Sequence, residues 1–260
     1  MNKEAFYNFL RPHVNLTTQN VFGMEKVLDY ALAKRDSARK LPYRLATAWW
    51  ETAQTMWPIK EAFWLSETWR AKNLRYYPYY GRGLIQLTWR DNYLKLAKLI
   101  DLPEEIFANN PNLVMNWEYA LPALFLGMDE GLYTGKDLDD YIDDKDESDD
   151  EDFREFKNAR RVVNGTDRAS EIARLAIIFE HALRDASYEG SLPPSDKPLV
   201  LLRKGSVGED VKRLQEVLRV NVDGIFGKKT DKALREWQAI HGLQVDGLAG
   251  PKTLTAMGLQ

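Results

Sequence analysis

Residues 44–62 read RLATAWWETAQTMWPIKEA, and the reading of this stretch decides the fold around it. From Tyr43 to Met56 the run is almost entirely apolar or small, which predicts a buried helix that Pro58 terminates. Glu51 is its one carboxylate. Other helix signals extend outward from it. Met24, Val27, Leu28, Ala31 and Leu32 fall at i, i+3, i+4, i+7 and i+8, an amphipathic stripe. Trp117, Leu121, Leu124, Phe125 and Met128 form a second, and Ile172, Leu175, Ala176, Phe179 and Leu183 a third. Period-two alternation is scarce, and the best strand candidate is Leu84–Thr88, behind Gly81 and Gly83. The first 190 residues are predicted to be mainly α.

Composition narrows the chemistry. The chain has 260 residues, 44% hydrophobic, and no cysteine, so thiolate metal sites, cysteine nucleophiles and disulfides are excluded. The net charge of −3 averages unlike parts. The run DLDDYIDDKDESDDED (137–152) holds eleven acids against one lysine, and the rest of the chain therefore carries +7. Of that, +3 belongs to residues 203–260. A mildly basic body suits an anionic polymer. The acidic run lacks the glycine and spacing of a calcium loop and is expected to be a solvated insertion. No apolar stretch approaches the ~20 residues of a membrane span. The N-terminus, MNKEAFYNFLRPHVNL, lacks the features of a signal peptide.

The run GSLPPSDKP (190–198) reads as linker. Beyond it, VDGIFGKKTDKA (222–233) and VDGLAGPKTLTA (245–256) share seven identities at a spacing of 23 residues. Leu214-Gln215 corresponds to Trp237-Gln238 at the same offset. This is a duplicated helix–loop unit, each Asp-Gly making a turn before a helix. The segment from Leu202 to Leu259 resembles the peptidoglycan-binding type 1 domain, a small three-helix bundle of cell-wall hydrolases. The resemblance implies wall binding between the repeats, with Asp223, Asp246, Trp237 and Phe226 as contact candidates. Phe226 and Trp237 suit a core better than a contact.

In the first part, exclusion leaves carboxylates. His13, His181 and His241 lie in separate regions without metal-ligand spacing, and no phosphate-binding glycine loop leads into a helix. No metal or other cofactor is expected. Glycosidic hydrolysis needs one protonated and one ionised carboxyl group. Glu51, in an apolar helix, suits the raised pKa of the acid. Glu61 follows ten residues on, beyond Pro58, with Glu67 next. Five of eight tryptophans (49, 50, 57, 64 and 69) cluster here. Aromatic faces stack on sugars, yet tryptophans at helical spacing are more often core.

The ordered motifs WETAQTMWPIKEA, YYGRGLIQLTWRDNY, NPNLVMN, LYTGKDLDDYI and NARRVVNGTDRA, across residues 40–185, resemble the chitinase-like glycoside hydrolase family 19. The branch found in phage and prophage endolysins is the nearest. The resemblance implies a lysozyme-like domain with a short β element, Glu51 as general acid, Glu61 as general base and Thr88 holding the attacking water. It places Gln86, Asn92, Asn164, Tyr80 and Gly83 along the sugar cleft, with Gly81 and Gly83 admitting the saccharide to the backbone. Trp50 stands where the family usually has His, and Glu67 rivals Glu61 as the base.

The expected architecture is mainly α: a lysozyme-like catalytic domain (1–189), a linker (190–201) and a small three-helix-bundle wall-binding domain (202–260). The expected activity is inverting hydrolysis of the β-1,4 bond between N-acetylmuramic acid and N-acetylglucosamine in peptidoglycan. A chitinase and a non-catalytic wall-binding or virion protein are the alternatives. The protein is expected to be a monomer that binds no nucleic acid and does not insert stably into a membrane. The resemblance implies that it waits in the host cytoplasm until a separate holin-type pore releases it to the wall.

Overall fold

A computed structural model describes residues 1–143, 145, 148–188 and 201–259. Most of the expected linker lies outside the described residues. The chain divides into two compact units, one of Leu16–Leu183 with Tyr188–Ser191, the other of Met1–Asn15, Arg184–Ser187 and Leu192–Gln260. Both are mainly helical, as expected. The helices are α1 (Lys3–Leu10), α2 (Thr18–Lys34), α3 (Leu41–Glu51), α4 (Glu67–Asn73), α5 (Arg90–Leu99), α6 (Ile106–Asn109), α7 (Trp117–Asp129), α8 (Asp149–Ala159), α9 (Ala169–Asp185), α10 (Glu209–Val217), α11 (Lys228–Ile240) and α12 (Pro251–Ala256). Short 3-10 turns cover Pro111–Met115 and Arg160–Val162.

The three stripes become α2, α7 and α9, each with its stripe turned mostly inward. Helix α3 is buried from Leu41 through Trp49. It ends at Glu51, however, well before Pro58. The Thr52 hydroxyl donates to Ala48 O at 2.7 Å and accepts from the Met56 amide at 2.9 Å, while Ala53, Gln54 and Met56 take left-handed backbone angles. A side chain that bonds back to the helix and captures the next turn stops it without proline.

That early stop also explains the tryptophans. Helical spacing does not extend through residues 52–66, so Trp57 and Trp64 sit on no helix and are exposed; Trp50 in α3 and Trp69 in α4 are exposed as well, and of the five only Trp49 reaches the core. The β element is a two-residue pairing, β1 (Ile59–Lys60) antiparallel to β2 (Arg82–Gly83). The expected strand Leu84–Thr88 is instead a turn over Leu84–Gln86, with Leu87 bridging back to Arg82. Gly83 and Gln86 have positive φ, which closes the strand early.

The acidic run is only partly solvated. Its C-terminal end starts α8, where a Ser148 capping box opens the helix. Asp152 is 1% exposed and paired with the buried Arg39, which also binds Glu180. Asp149 meets the buried His181 at 3.0 Å. These partners lie on other segments, Arg39 more than a hundred residues from Asp152 and His181 on α9, so no local pattern in the acidic run marks them.

In the tail, α10, α11 and α12 share a core of Leu202, Val211, Leu214, Phe226, Leu234, Ala249 and Leu254. The repeat is duplicated in its hydrogen bonds. Gln215 Nε2 donates to Asp223 Oδ1 (2.8 Å), Ile225 O (3.0 Å) and Thr230 Oγ1 (3.1 Å), and its Oε1 accepts from the Gly224 amide (2.8 Å). Gln238 repeats this with Asp246 (2.9 Å), Leu248 O (2.9 Å), Thr253 (3.5 Å) and the Gly247 amide (3.0 Å). Gly224 and Gly247 sit at φ +72 and +70, where a β-carbon is strained. Asp223 and Asp246 thus hold the turns together, each with Oδ1 inside the lock. Phe226 is core, and Trp237 stacks half-buried on His241 at 3.7 Å.

Replacing Gln215 by Ala strands the Gly224 N–H, and is expected to cost about 1–3 kcal/mol of tail stability. Urea unfolding with amide exchange at Gly224 checks this, and Gln238→Ala should match it. Unchanged exchange at Gly224 would sink the lock.

Candidate active site

An open cleft of about 580 Å³ lies in the Leu16–Leu183 unit. It brings together Glu51, Glu61, Gln86, Thr88, Asn92 and Asn164, residues spread over more than a hundred positions of sequence. Helix α3 delivers Glu51 as its last residue, the residue after β1 is Glu61, and the turn after β2 supplies Gln86 and Thr88. Asn92 comes from the first turn of α5, and Asn164 follows the 3-10 turn Arg160–Val162.

Glu51 is poised towards its neutral form. Burial pushes its carboxyl above the ordinary glutamate value, and the Arg160 guanidinium draws it back without cancelling the shift. Its position at the C-terminal end of α3, the negative end of the helix dipole, acts in the same direction as burial. Arg160 Nη1 donates to Glu51 Oε1 at 2.7 Å, and Arg160 Nε to Asp167 O at 3.0 Å. Arg160 is 2% exposed, so a neutral Glu51 would leave its charge less well compensated. Directly behind, burial pushes the Tyr43 hydroxyl far above the usual tyrosine range.

Glu61, across the sequence break at Pro58, is held by two hydrogen-bond donors. Tyr76 donates to Oε1 at 2.7 Å and the Gly81 amide to Oε2 at 3.0 Å. Burial and this hydrogen bond raise the Tyr76 hydroxyl to about 12. A β-carbon at Gly81 would stand 2.7 Å from Gln86 Oε1 and 3.3 Å from Glu61 Oε2, so these side chains would have to shift. The close approach that this glycine permits is thus by its own protein's carboxylate. Thr88 donates to Gln86 O at 2.7 Å, which leaves its oxygen free to accept. Asn92 Nδ2 donates to Thr88 O at 3.0 Å, and Gln86 Nε2 to Ile59 O at 3.2 Å, so the turn is braced from both sides.

Three expected site residues lie elsewhere. Tyr80 is fully buried; its hydroxyl donates to Glu67 at 2.9 Å and the Arg82 guanidinium lies 3.6 Å over its ring. Gly83 is buried in β2, where a β-carbon would meet Val114 O at 3.2 Å. Glu67 is outside the cleft lining, and desolvation of its carboxyl is outweighed by the Tyr80 hydrogen bond and the charges of Lys60 and Arg70, which hold it low. Sequence reasoning passed over Arg75, Tyr76, Trp89, Tyr133 and Thr134, which also line the cleft, and Arg160 behind it. The signal for Arg160 was an arginine doublet inside an otherwise apolar motif. Among the described residues no cluster could hold a metal ion, and no helix is long and apolar enough to cross a membrane.

Residues 207–257 match the family described as "Putative peptidoglycan binding domain". A spore cortex-lytic enzyme from Bacillus cereus is 49% identical over 59 residues, 20% of this chain and 23% of that protein. A spore cortex-lytic enzyme from Oceanobacillus iheyensis is 42% identical over 59 residues, 20% of this chain and 21% of that protein. The chain thus spans under a quarter of the length of these relatives. No solved structure gives a significant match. The tail of the chain is therefore similar to a wall-binding module carried by cortex-lytic enzymes.

Proposed function

We propose that the protein is a peptidoglycan hydrolase of the endolysin type, cutting the β-1,4 bond between N-acetylmuramic acid and N-acetylglucosamine. The observation that carries this reading is the pair of carboxylates sharing one cleft with different environments: Glu51 buried and raised, Glu61 hydrogen-bonded by Tyr76 and Gly81. Two carboxyl groups in different environments can run acid and base chemistry in one site. Glu51 Oε1 stays with Arg160, and the proton on its other oxygen passes to the glycosidic oxygen as that bond breaks. A water donates one hydrogen to Glu61 and the other to Thr88 Oγ1, which directs its lone pair at the anomeric carbon. Glu61 takes the proton as the new carbon–oxygen bond forms. The outcome is single displacement with inversion.

Gln86, Asn92 and Asn164 offer amides to the N-acetyl and hydroxyl groups of the sugar. The tail favours peptidoglycan over chitin, because its similarity is to a peptidoglycan-binding family. The site of action proposed is the bacterial wall, reached from the host cytoplasm once a separate pore has opened.

Glu51→Gln and Glu61→Gln are each expected to lower turnover of purified peptidoglycan by roughly 10²- to 10⁴-fold. Mass spectrometry of the wild-type products should find reducing N-acetylmuramic acid ends that both variants lose. Anhydro ends would indicate a lytic transglycosylase, cleavage of chitin oligomers alone a chitinase, and no cleavage a binding protein.

The pH profile offers an independent check. A general acid must be protonated, so activity falls as pH rises through the Glu51 pKa, which lies above the ordinary 4.5. Arg160→Met removes the charge that lowers that pKa, and the alkaline limb should move to higher pH. A limb that stays in place would remove Glu51 from the acid role.

A further inference from the structure

Arg75 is the only lysine or arginine among the described residues lining the cleft. A cation beside two carboxylates ordinarily pairs with one of them. Here Glu51 is taken by Arg160 and Glu61 by Tyr76 and Gly81, and among the described residues no ion pair holds Arg75. Its guanidinium lies 5.3 Å from the centroid of the Trp89 ring. That ring is 47% exposed and is fixed in its own turn, with the Trp89 amide donating to Tyr79 O at 2.9 Å and the Tyr76 ring against its edge at 5.1 Å. A guanidinium laid on an indole keeps its edge N–H groups outward, arranged as the planar fork that matches a carboxylate.

We propose that Arg75, set on Trp89, is a subsite for a substrate carboxylate and selects peptidoglycan over neutral N-acetylglucosamine polymers. The proposal rests on the hydrolase reading above. Peptidoglycan strands differ from chitin by a lactyl ether on alternate sugars, whose carboxyl is either free or extended into an acidic stem peptide. An anionic strand entering a cleft with two carboxylates meets repulsion unless its own charge is placed on a cation. Arg75, on the Trp89 ring in the cleft lining, supplies that cation.

The test compares wild type, Arg75→Gln and Arg75→Lys on soluble glycan strands of equal length. One set carries stem peptides, a second has them removed to leave free lactyl carboxylates, and a portion of each is amidated with carbodiimide and ammonium. Arg75→Gln is expected to lower kcat/KM on unmodified strands roughly 10- to 100-fold, through KM. Amidation should cost the wild type a similar factor and the Gln variant nothing further, while Arg75→Lys keeps part of the discrimination. Loss on the peptide-free strands alone assigns the lactyl carboxylate, loss on peptide-bearing strands alone assigns a stem-peptide carboxylate, and loss on both means that Arg75 accepts either. Additive losses, or a Gln variant equal to wild type on unmodified strands, would overturn the subsite while Glu51-dependent cleavage stands. No cleavage of any strand by the wild type would overturn the hydrolase reading and the subsite together.

Discussion

The contact between Glu51 and Arg160 is the constraint on which the Leu16–Leu183 unit depends. A helix as buried as α3 has no room for an isolated carboxylate, and neutralising one by full burial would cost several kcal/mol of unpaired charge on the arginine side. The pair reconciles both ends. Arg160 is anchored by Asp167 O and reaches Glu51 from the turn after α8, so α3 and the α8 turn are joined across one cleft wall. Because the bond is a single 2.7 Å contact to Oε1, the second carboxyl oxygen is left to take part in chemistry.

The same physical solution recurs in the unit. Arg44, fully buried in α3, is satisfied by Asp36 at 3.1 Å, Asp129 at 2.6 Å and Phe125 O at 2.9 Å. Arg39 gathers Asp152 and Glu180. A chain without cysteine has no covalent staples, and buried arginines that each hold several partners tie its distant segments together instead. Part of the acidic run serves this purpose, which is why its charge is not simply solvent-facing. Around Glu61 the demand is steric rather than ionic. Gly81 lets Glu61 and Gln86 approach the backbone closely, and a larger residue there would force their side chains to shift.

The amphipathic stripes of α2, α7 and α9 were legible because helical periodicity is a local property of the chain. So was the tail repeat, whose Gln, Asp, Gly and Thr identities turned out to be one hydrogen-bonded lock made twice. The motif order also singled out Glu51, Glu61, Gln86, Thr88, Asn92 and Asn164, which share the cleft. Less legible was where elements stop. The Thr52 hydroxyl ends α3 and the left-handed Gln86 ends the hairpin, and neither residue type is a standard breaker. The tryptophans misled for the same reason, since their helical spacing crosses a segment that is not helical.

Sequence by itself determined the helical class, the duplicated tail and the two glutamates flanking a proline, because each is read within one contiguous stretch of chain. Only the tertiary structure decided which charges meet. It paired Glu51 with Arg160, gave Glu67 to Tyr80, Lys60 and Arg70, and left Arg75 on Trp89 beside the carboxylates rather than bound to them. The physical reason is that burial and Coulomb energy depend on distances in space, and segments more than a hundred residues apart carry no local pattern that records them.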